Sequence, residues 1–246
     1  MDFKSFGAGF LAGMFGKKLI GNMLNKLSGA VTGVWKVIVD ATRRAFNESI
    51  KAGTFDMKQR LNEDAAEYKN PIKLKAWLKS YIANHRYRGI LIQGQLYYFT
   101  YDDPLTKDRL EFYDTTPLVL SFGTYLAKTG NMVEYGINLH MLPLDIRKAF
   151  LVDIFETYKN LYKGEMYSSK PRSINELNWE SLQVFVDKYG IDFAVRSYIT
   201  DRRKLTVIFD YEDWGKAVML PSSQFVGITD RELMRRYKLY IATKRQ

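Results

Sequence analysis

Three runs rich in β-branched and aromatic residues, at 90–101, 117–125 and 132–142, mark the central part of the chain. Asp-Asp-Pro and Thr-Gly-Asn sequences separate these runs, and both sequences favour turns over strands. In the first run, Tyr97, Phe99 and Tyr101 share one face because side chains alternate along a strand. The pattern predicts a small antiparallel sheet, SH3-like or barrel-like, over 90–142, with its aromatic face against a core or a partner.

Apolar residues at helical spacing flank this β unit on both sides. The spacing predicts amphipathic helices at 31–50, 55–68, 72–84, 143–163 and 179–189. Pro71 and Pro143 suit the starts of two of these helices, and Gly190 suits the end of another. Residues 204–209 (KLTVIF) predict one more strand. We therefore expect an α+β fold in which flanking helices pack on the sheet.

Residues 1–50 differ in composition from the rest, with glycines interspersed among Phe, Leu, Met and Val. Charged residues interrupt the apolar stretch, so a transmembrane helix is not expected. The pairs Gly9/Gly13 and Gly29/Gly33 would let helices pack closely in an oligomer, or the segment could order only against a partner. We predict a Gly-rich amphipathic helical N-terminal arm at 1–50 and an α+β core at 51–246 with a basic C-terminal helix.

Composition limits the chemistry that the chain can perform. It has no cysteine and only two histidines, which excludes disulfides, thiolate zinc sites and histidine-rich metal centres. We expect no metal and no cofactor. The net charge of +10 indicates an anionic partner, such as a phosphate backbone or an acidic surface.

One stretch concentrates this positive charge, because residues 69–101 contain six lysines and arginines and no acidic residue. The stretch is a candidate phosphate-binding surface, or else a solvated helix face that acids elsewhere in space balance. If the partner is DNA, the expected backbone contacts are Lys75, Lys79, Arg86, Arg88, Arg202, Arg203, Arg235 and Arg236.

Catalytic motifs are missing from the sequence. It contains no phosphate-binding P-loop, no dinucleotide-binding G-x-G-x-x-G, no G-x-S-x-G and no H-E-x-x-H. Asp210, Glu212, Asp213 and Lys216 follow a strand, as in some metal-dependent nucleases, but neighbouring strand residues point to opposite faces. A nuclease is therefore the lesser alternative, and we predict a protein that is not an enzyme and has no catalytic residues.

Two stretches resemble segments of structural proteins from T4-like tailed bacteriophages. They are GQLYYFTYDDPLTKDRLEFYDTTPLVLSFG, followed by YGINLHMLP and a helix, and YEDWGKAVMLPSSQFVGIT. The nearest type is the DNA end-protector or head-completion protein, which binds the packaged genome terminus. The resemblance implies a virion protein, made in the host cytoplasm, that binds other phage structural proteins and the end of double-stranded DNA.

The Gly-rich arm departs from what we associate with DNA-end binding. It keeps a second reading open, in which the chain is an oligomeric tail or baseplate component. In that reading the arm packs into a protein bundle or contacts a membrane.

Overall fold

A computed structural model of the protein describes residues 56–110, 112–164 and 179–244, without the side chains of 157–164 and 179–181. The predicted arm at 1–50, with Gly9, Gly13, Gly29 and Gly33, lies outside the described residues. Where the chain is described, no helix is both long enough and apolar enough to span a membrane.

The helices and strands alternate in short groups along the described chain. Two helices come first, α1 (Met57–Glu67) and α2 (Pro71–Asn84), and then β1 (Arg86–Tyr87), β2 (Leu96–Tyr101), α3 (Pro104–Lys107), β3 (Leu118–Leu126) and β4 (Met132–Asn138). After a 3₁₀ turn, Leu139–Met141, come α4 (Leu144–Gly164), α5 (Trp179–Tyr189), β5 (Val195–Ile199) and β6 (Arg203–Phe209). The last elements are α6 (Trp214–Val218), α7 (Ser222–Phe225) and α8 (Asp230–Lys244).

All six strands form one antiparallel sheet in the order β1-β6-β2-β3-β4-β5. This architecture confirms the predicted α+β class. The sheet is open and larger than the small barrel-like unit expected at 90–142. The reason is that β6, from late in the chain, pairs between β1 and β2, while β5 extends the opposite edge.

The sheet has a different apolar layer on each face. Helices α1, α2, α4, α5 and α6 cover one face, where Leu96 and Tyr98 of β2 join the main core. On the other face, Tyr97, Phe99 and Tyr101 form a second buried cluster with Tyr198 of β5. The predicted alternation in β2 is thus confirmed, and its aromatic face is buried.

Local sequence explains where the helices begin and end. The side chain of Asn70 accepts a hydrogen bond from the amide of Ile72, and Pro71 occupies the first turn, so α2 begins where predicted. Gly190 follows α5 with φ +60, a left-handed conformation that glycine adopts without strain. The exposed side of α2 carries three of the cations discussed below.

Candidate nucleic-acid interface

Helix α2 and strand β1 follow each other directly and form one edge of the molecule. Tyr81 of α2 joins the helix to β6, because its hydroxyl donates to the carbonyl of Ile208 (3.3 Å) and accepts from the amide of Asp210 (3.0 Å). His85, the single residue between α2 and β1, stacks on Tyr81 with 3.9 Å between ring centroids. These contacts hold α2 and β1 in a fixed relation to each other.

The exposed side of this edge is cationic. Lys73, Lys75 and Lys79 on α2 are exposed, and so are Lys69 before the helix, Arg86 in β1 and Arg88 just after it. We call these six residues the cationic strip. Within the described part of the chain none of the six forms an ion pair, and residues 69–101 contain no acid.

The register of β1 shows which side of the sheet Arg86 occupies. Arg86 lies opposite Val207 and Tyr87 lies opposite Thr206. Tyr87 packs against Tyr97 in the second cluster, with ring centroids 5.6 Å apart. Because neighbouring strand residues point to opposite faces, Arg86 lies on the helix-covered face, beside the end of α2. Arg86 therefore lies on the same side of the sheet as α2 and its lysines.

Two of the other predicted contacts, Arg202 and Arg203, are occupied within the protein. Arg202 pairs with Asp103, whose carboxylate also accepts from the amide of Leu105 at the start of α3. The side chain of Arg203 is only 6% exposed and pairs with Glu134, at 2.8 Å between Nε and Oε2. Arg203 is therefore unavailable to a phosphate, and the guanidinium of Arg202 is already paired with a carboxylate.

The Arg203–Glu134 pair also holds the segment 88–95 against the sheet. Arg203 Nη2 donates to the carbonyl of Gly89 (2.7 Å), and Glu134 Oε1 accepts from the amide of Leu91 (3.0 Å). Burial raises the pKa of Glu134, while the Arg203 guanidinium and the Leu91 amide act in the opposite direction. The pair thereby fixes the backbone next to Arg88 in the strip.

The two predicted contacts on α8 are also paired. Arg235 donates to both carboxylate oxygens of Glu232 (2.7 and 2.8 Å), and Arg236 donates to one of them (2.7 Å). These hydrogen bonds lower the pKa of Glu232 to about 2. Arg236 also lies over the ring of Phe112, 4.5 Å from its centroid. Both arginines therefore already share one carboxylate within the protein.

The carboxylates considered for a nuclease do not converge. Asp210 accepts from the Tyr81 hydroxyl (3.3 Å), whereas Asp213 pairs with Lys216 (2.8 Å). The backbone carbonyl of Glu212 accepts from Arg60 on α1. No three potential metal-ligating side chains come together anywhere in the described ranges. This part of the chain thus offers no observation in favour of the nuclease alternative.

A buried polar cluster surrounds the second histidine. His140 is fully buried, with Nδ1 3.0 Å from Asp114, which also accepts from Asn138 (2.9 Å). Its ring stacks on Phe225, and its Nε2 has no hydrogen-bond partner among the described residues. Burial lowers the pKa of His140, and Asp114 opposes that shift. The cluster lies inside the protein and has no access to a large ligand.

Of the eight predicted contacts, the structure places Lys75, Lys79, Arg86 and Arg88 together on one exposed edge. Lys69 and Lys73 belong to the acid-free stretch that the sequence marks as a candidate phosphate-binding surface, but they are not among the eight predicted contacts. Sequence reasoning missed the role of Glu134, since no local pattern marks it as the partner of an arginine 69 residues later.

A family model described as Phage T4 terminal DNA protecting protein matches residues 42–238. The matched range contains every described element through most of α8. Comparisons with curated proteins and with solved structures gave no significant match.

Proposed function

This chain belongs to the phage T4 terminal DNA protecting protein family, and on that premise we propose that it binds the ends of duplex DNA through the cationic strip. The observation that carries the proposal is the set of six exposed cations along α2 and β1, which have no acidic partner in the part of the chain that the structure describes. Each lysine or arginine that neutralises a phosphate releases condensed counterions, which favours binding.

The electrostatics of α2 itself support an anionic ligand. The amino-terminal end of a helix carries partial positive charge, and acidic residues usually compensate it. The first turn of α2 contains no acid, while Lys69 and Lys73 lie at that end. Like charges therefore accumulate there in the free protein, and a bound phosphate would relieve their repulsion.

Protection of a DNA end requires only that the protein stays bound there, and no bond has to be made or broken. A protein bound at a duplex end excludes an exonuclease from the terminus for as long as it stays bound. The described residues bring together no metal-ligating cluster, and the strip consists only of cations. We accordingly propose a binding protein that acts by steric protection and is not an enzyme.

An exonuclease protection assay tests this proposal. Purified protein is mixed with blunt linear duplex DNA, and degradation is followed after a double-strand-specific exonuclease is added. We expect protection that saturates with protein concentration, and tighter binding to linear duplex than to closed circular duplex of the same sequence. Equal affinity for both forms, with no protection, would remove the end-binding proposal.

The place of the chain in the particle is a separate part of the proposal. We propose that it resides in the virion, next to other phage structural proteins and the DNA terminus. The alternative location in the tail or baseplate depends on residues 1–50, which lie outside the described ranges. Cross-linking of intact particles followed by mass spectrometry distinguishes the two, since cross-links to head proteins favour DNA-end binding and cross-links to baseplate proteins contradict it.

A further inference from the structure

We infer that α2 enters the major groove of the duplex, so that the protein recognises double-stranded DNA by inserting a helix and not only by surface charge. This inference rests on the proposed function and specifies which feature of the DNA the strip binds. It follows from the arrangement of residues around α2, the fit of the helix to the groove and the distribution of charge.

The outermost line of α2 is uncharged, and none of the described residues covers it. An α-helix turns by about 100° per residue, which places Ile72, Ala76 and Ala83 within about 40° of one another. This line points away from the buried residues Leu74 and Leu78, which face the core. All three outer residues are exposed, and Ile72 is the most exposed large apolar side chain described, at 77%.

Lysines lie on both sides of that line. Lys73 lies roughly 80° to one side, and Lys75 and Lys79 lie roughly 80° and 40° to the other, by the same helical geometry. A helix that lay on top of a single phosphate backbone would need cations on one side only. Cations on both flanks, with an uncharged line between them, match the two phosphate strands that border a groove.

The dimensions of α2 suit the major groove. Its 14 residues give a length of about 21 Å, and an α-helix with its side chains is about 10–12 Å wide. The major groove is about 12 Å wide, whereas the minor groove is about 6 Å wide and does not admit a helix. Small and aliphatic side chains such as Ala76 and Ile72 can lie close to base edges and contact thymine methyl groups.

The charge of α2 identifies the occupant as a polyanion. The helix contains no acidic residue, and its exposed cations are not neutralised by the described part of the chain. An apolar protein partner would cover Ile72 but would leave three desolvated lysines without counterions, which is costly. Duplex DNA satisfies both the cationic flanks and the uncharged line.

The test uses the full-length protein and modified DNA. Binding is measured by fluorescence anisotropy to a short blunt duplex whose terminal pyrimidines carry bulky uncharged groups at C5, which fill the major groove. We expect roughly tenfold weaker binding than to the unmodified duplex. A saturating minor-groove ligand on the unmodified duplex should leave affinity unchanged.

A protein variant gives an independent measurement. Ala76→Trp enlarges the outer line of α2 without changing charge and should also weaken binding roughly tenfold. Ala66→Trp, at an exposed position of α1, is the matched control and should bind like the wild type. Circular dichroism checks that both variants keep the helical content of the wild type.

The outcomes separate this inference from the function on which it rests. Unchanged affinity for the C5-modified duplex, or displacement by the minor-groove ligand, would overturn the major-groove inference and leave end binding intact. If Lys75→Gln and Lys79→Gln together leave affinity for the unmodified duplex unchanged, the strip is not the DNA contact, and both proposals fail.

Discussion

The edge formed by α2 and β1 and the exposed face of α8 are both rich in lysine and arginine, yet their charges are used differently. On α8, Arg235 and Arg236 share the carboxylate of Glu232, and Lys244 pairs with Asp192. In the cationic strip no such partner exists among the described residues. The two surfaces therefore differ in how many of their cations are already paired. Three of the five cations on α8 are paired, whereas none of the six in the strip has an acidic partner among the described residues.

Arg203 is a buried cation that is paired within the protein, so it contributes to stability and not to ligand binding. We expect Arg203→Met to lower the free energy of unfolding by about 3–5 kcal/mol, because it leaves Glu134 buried without its partner. The loss should be smaller in acid, where protonation removes the unpaired charge. Chemical denaturation at several pH values measures both effects.

The matched control is the double variant Arg203→Met/Glu134→Leu. Removing both charges should restore part of the lost stability, since a buried pair can be replaced by apolar residues at little cost. The amide of Leu91 would still lack its acceptor, so recovery should be incomplete. If Arg203→Met alone proves as stable as the wild type, the pair does not hold segment 88–95 to the sheet.

The two histidines also differ in exposure, because His85 lies exposed at the strip and His140 is buried. Burial keeps the pKa of His140 below its ordinary 6.5 in the folded state, while the unfolded chain binds a proton near that pH. Its contribution to stability is therefore complete above about pH 6.5 and declines as pH falls, by at most about 1.4 kcal/mol per pH unit.

Denaturation midpoints recorded from about pH 7.5 to pH 5 test this prediction. The variant His140→Gln should be less stable at neutral pH but should lose less stability on acidification than the wild type. Identical profiles for the wild type and His140→Gln would contradict the prediction.

The smallest effect is expected on α8. Arg235 is 60% exposed and already paired with Glu232, so Arg235→Gln should change neither the denaturation midpoint nor the affinity for DNA measurably. Anisotropy titrations of this variant beside Lys75→Gln compare a paired cation with an unpaired one. A larger loss of affinity from Arg235→Gln than from Lys75→Gln would reverse the comparison between the two surfaces.

The sequence predicts the parts of the fold that depend on local pattern. Alternation in β2 correctly separates Tyr97 and Phe99 from the main core, and the proline and glycine signals place the start of α2 and the end of α5. The order of the strands cannot be predicted in this way. Insertion of β6 between β1 and β2 depends on pairing between residues more than 100 positions apart, which no local pattern encodes.

The candidate interface, like the fold, could be predicted from the sequence only in part. The acid-free stretch at 69–101 identifies Lys75, Lys79, Arg86 and Arg88 because these residues, which have no acid near them in sequence, also form no ion pair with any described residue. Arg202 and Arg203 differ, because each pairs with an acid that is distant in sequence. These acids are Asp103 and Glu134. Counting cations therefore finds basic segments, but only the tertiary structure shows which charges remain available.

The salt dependence of DNA binding tests the central claim most directly. For blunt duplex DNA, the slope of log K against log salt concentration changes by about 0.9 for each phosphate contact. The triple variant Lys75→Gln/Lys79→Gln/Arg86→Gln should have a slope shallower than the wild type by about 2.7 and an affinity lower by roughly a hundredfold. The charge-matched variant Lys58→Gln/Lys107→Gln/Lys128→Gln, at exposed positions outside the strip, should keep the wild-type slope. Equal slopes for the two triple variants would contradict the claim that the cationic strip binds the DNA.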